Sequence, residues 1–102
     1  MIAALRQHGG KHSLFYAAQE GMLEEVAELI KGGSDVNQQT CSGSAPLHIA
    51  ARYGQLEVAK VVLAAHAEVH VRDKRGDTPL KYAQSNNKHE LVELLRQHGA
   101  TE

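Results

Sequence analysis

Apolar residues recur along the chain in short groups with helical spacing, and turn residues separate the groups. In the middle of the chain, Pro46 opens a group that runs to Tyr53, and Gly54 follows it. Proline suits the first turn of a helix and glycine suits the residue after its end, so this stretch is predicted to be a short helix. The apolar positions that follow predict a second helix from about Glu57 to Ala65. Helices this short are not stable alone in water, so they need neighbours.

The same arrangement of residues occurs three times, at a spacing of 33 residues. A glycine, a leucine, an alanine and a glutamate each keep this spacing: Gly10, Gly43 and Gly76; Leu14, Leu47 and Leu80; Ala17, Ala50 and Ala83; Glu24, Glu57 and Glu90. A fixed period of this length predicts a solenoid, in which each unit buries its apolar faces against neighbouring units.

The repeated segments resemble the ankyrin family. The middle unit contains APLHIAARYG and the third contains GDTPLKYA, and both are similar to the family's T-P-L-H-x-A core. The segments GGSDVN at 32–37 and HAEVH at 66–70 are similar to the family's repeat-closing G-A-D-V-N. The resemblance covers residues 10–102. It implies an all-α solenoid of helix-turn-helix units joined by β-hairpin-like loops.

We therefore expect one ankyrin-repeat domain over residues 1–102. Its units are a capping-like repeat at 10–42, a central repeat at 43–75 and a C-terminal capping-like repeat at 76–102. Residues 1–9 form a lead-in whose segment 2–8 has the composition of a short helix. This lead-in could be the remnant of an earlier unit, a lid that packs on the first unit or a disordered segment.

Polar residues take apolar positions in the second helices of the two end units. Glu25 and Glu28 replace the apolar residues of the other units in unit one, and His89 and Arg96 do so in unit three. The outer face of an end unit has no neighbour, so polar residues there predict caps at both ends. The pattern favours a complete small module, with a piece of a longer protein as the alternative.

Composition and charge narrow the classes of function. The net charge of −1 argues against a dedicated nucleic-acid surface, which needs a strong basic excess. Apolar runs are too short to span a membrane. The single cysteine, Cys41, cannot form an internal disulfide, which favours a cytoplasmic or nuclear location, although a disulfide-free protein can also be secreted.

No catalytic or metal-binding motif is recognisable. His8 with His12, and His66 with His70, have ligand-like spacing, but Gly9-Gly10 and a unit boundary interrupt the two pairs. Cys41 lies in a predicted loop without a surrounding signature, and GGKHS is not a phosphate-binding loop. We expect no enzyme activity, no cofactor and no metal.

Three single positions carry structural expectations. Ser13 is a predicted N-cap, and Asn87 stands where the other units have glycine, so it should adopt the left-handed conformation. His48 takes the histidine position of the family motif, and by resemblance its ring ties together the loops of adjoining units.

By resemblance, partners dock on a concave face that the loop tips and the first helices form together. Tyr53 and Arg52 are the favoured anchors because Tyr and Arg are enriched at binding hot spots and this pair is in the central unit. The predicted partner-binding residues are Arg52, Tyr53, Ser42, Ser44, Arg72, Lys74, Arg75, Asp77, Ser85 and Asn86, and the same surfaces include Lys11, Cys41, Gln19 and Glu20.

The sequence therefore predicts a non-enzymatic protein-binding module that is monomeric on its own. Two alternatives remain. The chain could be a structural or regulatory segment of a longer protein, or it could bind phosphate or nucleic acid through the basic tip at 72–75.

Overall fold

The computed structural model describes residues 13–100, and this part of the chain forms six α-helices. The central pair was predicted closely, since its second helix begins and ends one residue earlier than expected. The predicted lead-in helix at 2–8 lies outside the described residues. The helices are α1 (Leu14–Glu20), α2 (Leu23–Lys31), α3 (Pro46–Tyr53), α4 (Leu56–Ala64), α5 (Pro79–Ser85) and α6 (His89–Gln97).

The helices lie in two rows. α1, α3 and α5 contact one another in order, and α2, α4 and α6 form the second row behind them. Within each unit the two helices also contact each other, and extended loops without strands join the described units. This is the predicted all-α repeat solenoid. In the part of the chain from 13 to 100, every helix is too short or too polar to cross a membrane.

Side chains at the helix starts explain where the first helix of each unit begins. Ser13 and Thr78 accept hydrogen bonds from the backbone N–H groups of Tyr16 and Lys81, at 3.2 Å and 3.3 Å. These bonds satisfy N–H groups that have no partner within a helix, so the predicted cap at Ser13 is confirmed. Proline at the first helical position of α3 and α5 adds a preset backbone angle.

The first helices end in a left-handed residue. Gly54 has a φ of 69° after α3, and Asn87 has a φ of 58° after α5. Glycine adopts this conformation without a Cβ clash, and asparagine is among the residues that tolerate it best. The prediction for Asn87 is confirmed. The chain then reverses direction within a few residues, which brings the second helix against the first.

One apolar core runs through all three units. Small residues such as Ala50 and Ala83 are completely buried where neighbouring first helices meet, which lets the helices approach closely. Larger residues fill the space between the two rows. The largest fully buried apolar side chains are Leu47, Leu80, Leu91, Leu95, Val26, Val58, Val62, Pro46 and Pro79.

The polar residues of the end units lie at the surface or close to it. Glu28, His89 and Arg96 are exposed, and Glu25 is half-buried. These positions are consistent with caps, but the unit boundaries and the capping role of the end units remain predictions.

Candidate functional site

Two tight turns project from the loops between units. We call them the first tip, residues 40–44, and the second tip, residues 73–77. Each is closed like a β-hairpin by two backbone hydrogen bonds, as the resemblance implied. In the first tip these bonds run from Gly43 N to Thr40 O (2.8 Å) and from Thr40 N to Ser44 O (2.9 Å), and in the second from Gly76 N to Asp73 O (2.9 Å) and from Asp73 N to Asp77 O (3.0 Å).

A buried carboxylate holds the second tip in shape. Asp73 Oδ1 accepts hydrogen bonds from the backbone N–H groups of Arg75 and Asp77, both at 2.9 Å, and Oδ2 accepts one from the Tyr82 hydroxyl. Burial raises the pKa of Asp73, but these hydrogen bonds outweigh burial and make the net shift downward. Burial and the Asp73 carboxylate also raise the pKa of Tyr82, which keeps its hydroxyl a donor.

The two tips are joined to each other through the backbone. Lys74 N donates to Ser42 O at 3.0 Å. Gln39 Nε2 donates both to Gly43 O in its own loop, at 2.7 Å, and to Arg72 O in the next loop, at 3.1 Å. The spacing between the tips is therefore fixed by hydrogen bonds rather than by the loops' own stiffness.

His48 connects α3 to the second tip. Its Nδ1 accepts a hydrogen bond from Ala45 N at 3.0 Å, so the proton is on Nε2, which donates to Asp77 O at 2.7 Å. The ring is fully buried and meets the Tyr82 ring edge-on, with 5.2 Å between centroids. Burial lowers the pKa of His48, and the nearby Asp77 and Asp73 oxygens offset only part of this effect. The expected structural role of His48 is confirmed.

This framework borders a groove of about 210 Å³ between the end of α3, the second tip and α5. We call it the inner groove. It is lined by Arg52, Arg75, Asp77, Lys81, Tyr82, Ser85 and Asn86.

The structure brings half of the predicted partner-binding residues together here, namely Arg52, Arg75, Asp77, Ser85 and Asn86. Arg72 lines an adjoining groove, which shares Asp77 and Lys81 with the inner groove. Ser42, Ser44 and Lys74 lie in the tips, where their backbone groups form the tip hydrogen bonds.

Tyr53 and Arg52 lie side by side at the end of α3. The Arg52 guanidinium carbon is 5.7 Å from the centre of the Tyr53 ring, which is a cation–π distance. Both side chains are exposed, and Tyr53 is 45% accessible. An exposed tyrosine with a cation on its ring offers both apolar area and charge to a partner.

Lys81 and Tyr82 are groove residues that the sequence prediction missed. It considered only the last residues of each first helix, whereas Lys81 and Tyr82 are four and three residues before Ser85. Residues at these separations share one face of a helix. Helical spacing from Ser85 was therefore the signal that would have found them.

The other predicted positions have simpler surroundings. Cys41 is exposed in the first tip, Gln19 donates to Glu20 at 3.3 Å, and Lys11 lies outside the described residues. Between residues 13 and 100, no group of three or more His, Cys, Asp or Glu side chains is arranged to hold a metal ion.

Comparison with known proteins agrees with this geometry. A family model described as ankyrin repeats, in three copies, matches residues 14–101. The chain belongs to the ankyrin-repeat family. The predicted family and fold are therefore confirmed.

Curated relatives are much longer than this chain. A putative ankyrin repeat-containing protein of Treponema pallidum (strain Nichols) is 37% identical over 99 residues, which are 96% of this chain and 33% of the relative. Serine/threonine-protein kinase 12 of Arabidopsis thaliana is 36% identical over 87 residues, 85% of this chain and 19% of the kinase. SH3 and multiple ankyrin repeat domains protein 2 of Homo sapiens is 28% identical over 97 residues, 95% of this chain and 5% of that protein. Because coverage of these relatives is low, their names assign no activity to this chain.

Proposed function

We propose that this ankyrin-repeat chain is a non-enzymatic module that binds a partner protein on the face formed by the tips and the first helices. The observation that carries the proposal is the inner groove, where side chains from α3, the second tip and α5 meet at the surface. Ankyrin repeats are general protein-interaction modules, and the family match covers most of this chain.

The framework around the groove is suited to binding because it is already ordered. Asp73 and His48 fix the second tip from within, and the backbone bond from Lys74 to Ser42 fixes it against the first tip. A surface that is held in place before binding loses little conformational entropy when a partner docks. The exposed pair of Arg52 and Tyr53 lies at the rim of this ordered region and is its favoured anchor.

The test compares two double variants. Arg52→Ala with Tyr53→Ala removes the proposed anchor, and Lys60→Ala with Glu93→Ala changes exposed residues of the second helices. Partners are captured from a cell lysate with each immobilised protein and identified by quantitative mass spectrometry. Affinities for a captured protein are then measured by titration calorimetry.

We expect the anchor variant to bind about 2 kcal/mol more weakly, or worse, because hot-spot residues carry this much of a binding energy. The control variant should bind like the parent. Equal affinities for parent, anchor variant and control would refute binding at this face and would direct attention to the second helices.

The length of the relatives favours a second candidate function. Since the matches cover between 5% and 33% of these proteins, we propose as an alternative that the chain acts as a structural or regulatory segment of a longer protein. In that case its binding partner is another part of the same polypeptide. Crosslinking of the full-length protein, followed by mass spectrometry, would place intramolecular crosslinks on Lys74 or Lys81.

A further inference from the structure

Charge is distributed unevenly between the two rows of helices. The second helices, α2, α4 and α6, carry six glutamates and three cations. Three parts of the chain next to the inner groove show the opposite balance: α3, residues 72–77 with the second tip, and α5. Together they contain five exposed cations, Arg52, Arg72, Lys74, Arg75 and Lys81, and only two carboxylates, Asp73 and Asp77. The surface around the inner groove is therefore positive, although the chain has a net charge of −1.

The fold neutralises little of this positive charge. Asp73 is buried, and its carboxylate is occupied by two backbone N–H groups and the Tyr82 hydroxyl. Lys81 Nζ is 3.9 Å from Asp77 Oδ1, a weak pair in which the lysine side chain is 61% exposed. The cations that line the inner groove therefore exceed the carboxylate available to them.

An aromatic side chain lies beside each of the two groove arginines. Arg52 stacks on the Tyr53 ring, and the Arg75 guanidinium lies beside the Tyr82 hydroxyl. Arginine in such a setting keeps several N–H donors for the two oxygens of a carboxylate. Lys81 projects from the middle of α5 and adds a third donor group to the groove.

The groove also offers acceptors for a peptide backbone. Asn86 Nδ2 donates to Tyr82 O at 2.8 Å, which orients the amide, and its Oδ1 accepts no hydrogen bond from the residues that the structure describes. The Ser85 hydroxyl lies one residue earlier on the same groove wall. An extended segment could donate its backbone N–H groups to these oxygens while its side chains meet the cations.

From this arrangement we propose that the inner groove binds an extended, acidic segment of a partner protein through the carboxylates of its Asp or Glu residues. The inference rests on the proposed function and specifies the chemistry of the partner. Arg52, Arg75 and Lys81 bind the carboxylates, and Asn86 and Ser85 bind the backbone.

Asp77 favours an acidic protein segment over nucleic acid as the occupant. Asp77 lines the groove together with the three cations, and its Oδ1 is 3.9 Å from Lys81 Nζ. A nucleic acid carries a charge on every phosphate and would place one against Asp77, at an electrostatic cost. An acidic protein segment can place an uncharged residue at that point and carboxylates on either side of it.

The experiment titrates a short fluorescent peptide, in which Glu alternates with Ser, into the full chain at low salt. A peptide of the same length with Gln in place of Glu controls for charge. The test variant is Arg52→Gln, Arg75→Gln and Lys81→Gln, and the matched control is Lys31→Gln, Lys60→Gln and Arg96→Gln. Both triple variants lose the same charge, but the control loses it from the second helices.

We expect the test variant to bind the acidic peptide about tenfold more weakly than the parent, or worse, because three exposed ion pairs of modest strength are removed. The control variant should retain most of the parent affinity, and the Gln peptide should bind much more weakly than the Glu peptide. Affinity should also fall as salt is added. Equal weakening in both triple variants would refute the groove, since it would show a response to net charge alone.

Two further probes test the choice of partner. Single-stranded DNA and a phosphoserine peptide of the same length are titrated under identical conditions. Tighter binding of either probe than of the Glu peptide, with loss in the test variant, would overturn the assignment to protein carboxylates. If a lysate partner loses affinity on Tyr53→Ala yet binds the test variant and the parent equally, the concave binding face stands and the acidic segment is refuted.

Discussion

At the residue scale, two polar side chains inside the fold decide the shape of the candidate site. His48 is fully buried and Asp73 nearly so, and both are hydrogen-bonded to the second tip. Buried polar groups stabilise a structure only when they are paired, and here each is paired with backbone that has no helix partner. Hydrogen bonds of these two buried side chains therefore hold the tip that carries Arg75 and Asp77.

His48 should make the stability of the protein depend on pH. Burial holds its pKa below the ordinary 6.5 in the folded state, so the unfolded chain binds a proton at higher pH than the folded chain. The stabilisation that neutral His48 provides is therefore complete above about pH 6.5. Below that pH the free energy of unfolding falls as the pH falls, by at most about 1.4 kcal/mol per pH unit. Urea denaturation at several values between about pH 7.5 and pH 5 measures this slope.

His48→Gln is the control for this prediction. Glutamine does not titrate, so the variant should show a flatter dependence of stability on pH. Although its amide can also donate and accept hydrogen bonds, replacing a buried and hydrogen-bonded ring should lower the free energy of unfolding by about 1–3 kcal/mol. Asp73 does not affect this measurement. Its pKa is lowered in the folded state, so its protonation reduces the stability of the protein only below about pH 3.8. The same slope in variant and parent would show that other groups cause the dependence.

At the element scale, the two tips have the same turn but different surroundings. Gly43 and Gly76 have φ angles of 84° and 83°, a region that costs any residue with a Cβ some strain. A Cβ on Gly43 would lie 2.7 Å from Lys74 N, whereas a Cβ on Gly76 would meet nothing within 4 Å among the described residues. The first tip is thus packed against the second, and the outer side of the second tip is open over residues 13–100.

Gly43→Ala should therefore destabilise the protein more than Gly76→Ala does. Both substitutions carry the backbone strain of about 1–2 kcal/mol, and only Gly43→Ala adds a clash with backbone, for a total of roughly 2–4 kcal/mol. Chemical denaturation of the two variants and the parent gives the comparison. Equal losses would show that the tips do not pack together in solution.

At the scale of the whole molecule, the core is shared between units. Among the helices of residues 13–100, no pair buries its apolar side alone, and the buried residues of all three units form one cluster. Stability in such an array comes from unit interfaces, so a defect in the central unit affects both neighbours. The groove lies over the interface of units two and three and depends on it.

Leu47→Ala tests the shared core. Leu47 is fully buried in the central unit, so its truncation should cost roughly 2–5 kcal/mol of a total stability of about 5–15 kcal/mol. Leu23→Ala is the control. Because Leu23 is 38% exposed, its truncation should reduce the free energy of unfolding far less. Thermal unfolding followed by circular dichroism should show one shifted transition. A separate transition for part of the chain would contradict a core shared by all units.

The sequence determined the repeat and its helices because both depend on local physics. A period of 33 residues, proline at helix starts and glycine or asparagine at helix ends are visible along the chain, and each acts through its own backbone conformation. The sequence also indicated Arg52, Arg75, Asp77, Ser85 and Asn86 as surface candidates.

Only the tertiary structure decided which of those candidates share a groove. Arg52 and Arg75 are far apart in sequence, and they meet because the backbone bond from Lys74 to Ser42 and the ring of His48 set the position of the second tip. Lys81 and Tyr82 also line the groove, because one face of α5 lies beside that tip. A periodic pattern specifies that units stack. The groove between two units depends in addition on hydrogen bonds between their loops, which join residues that are far apart in the sequence.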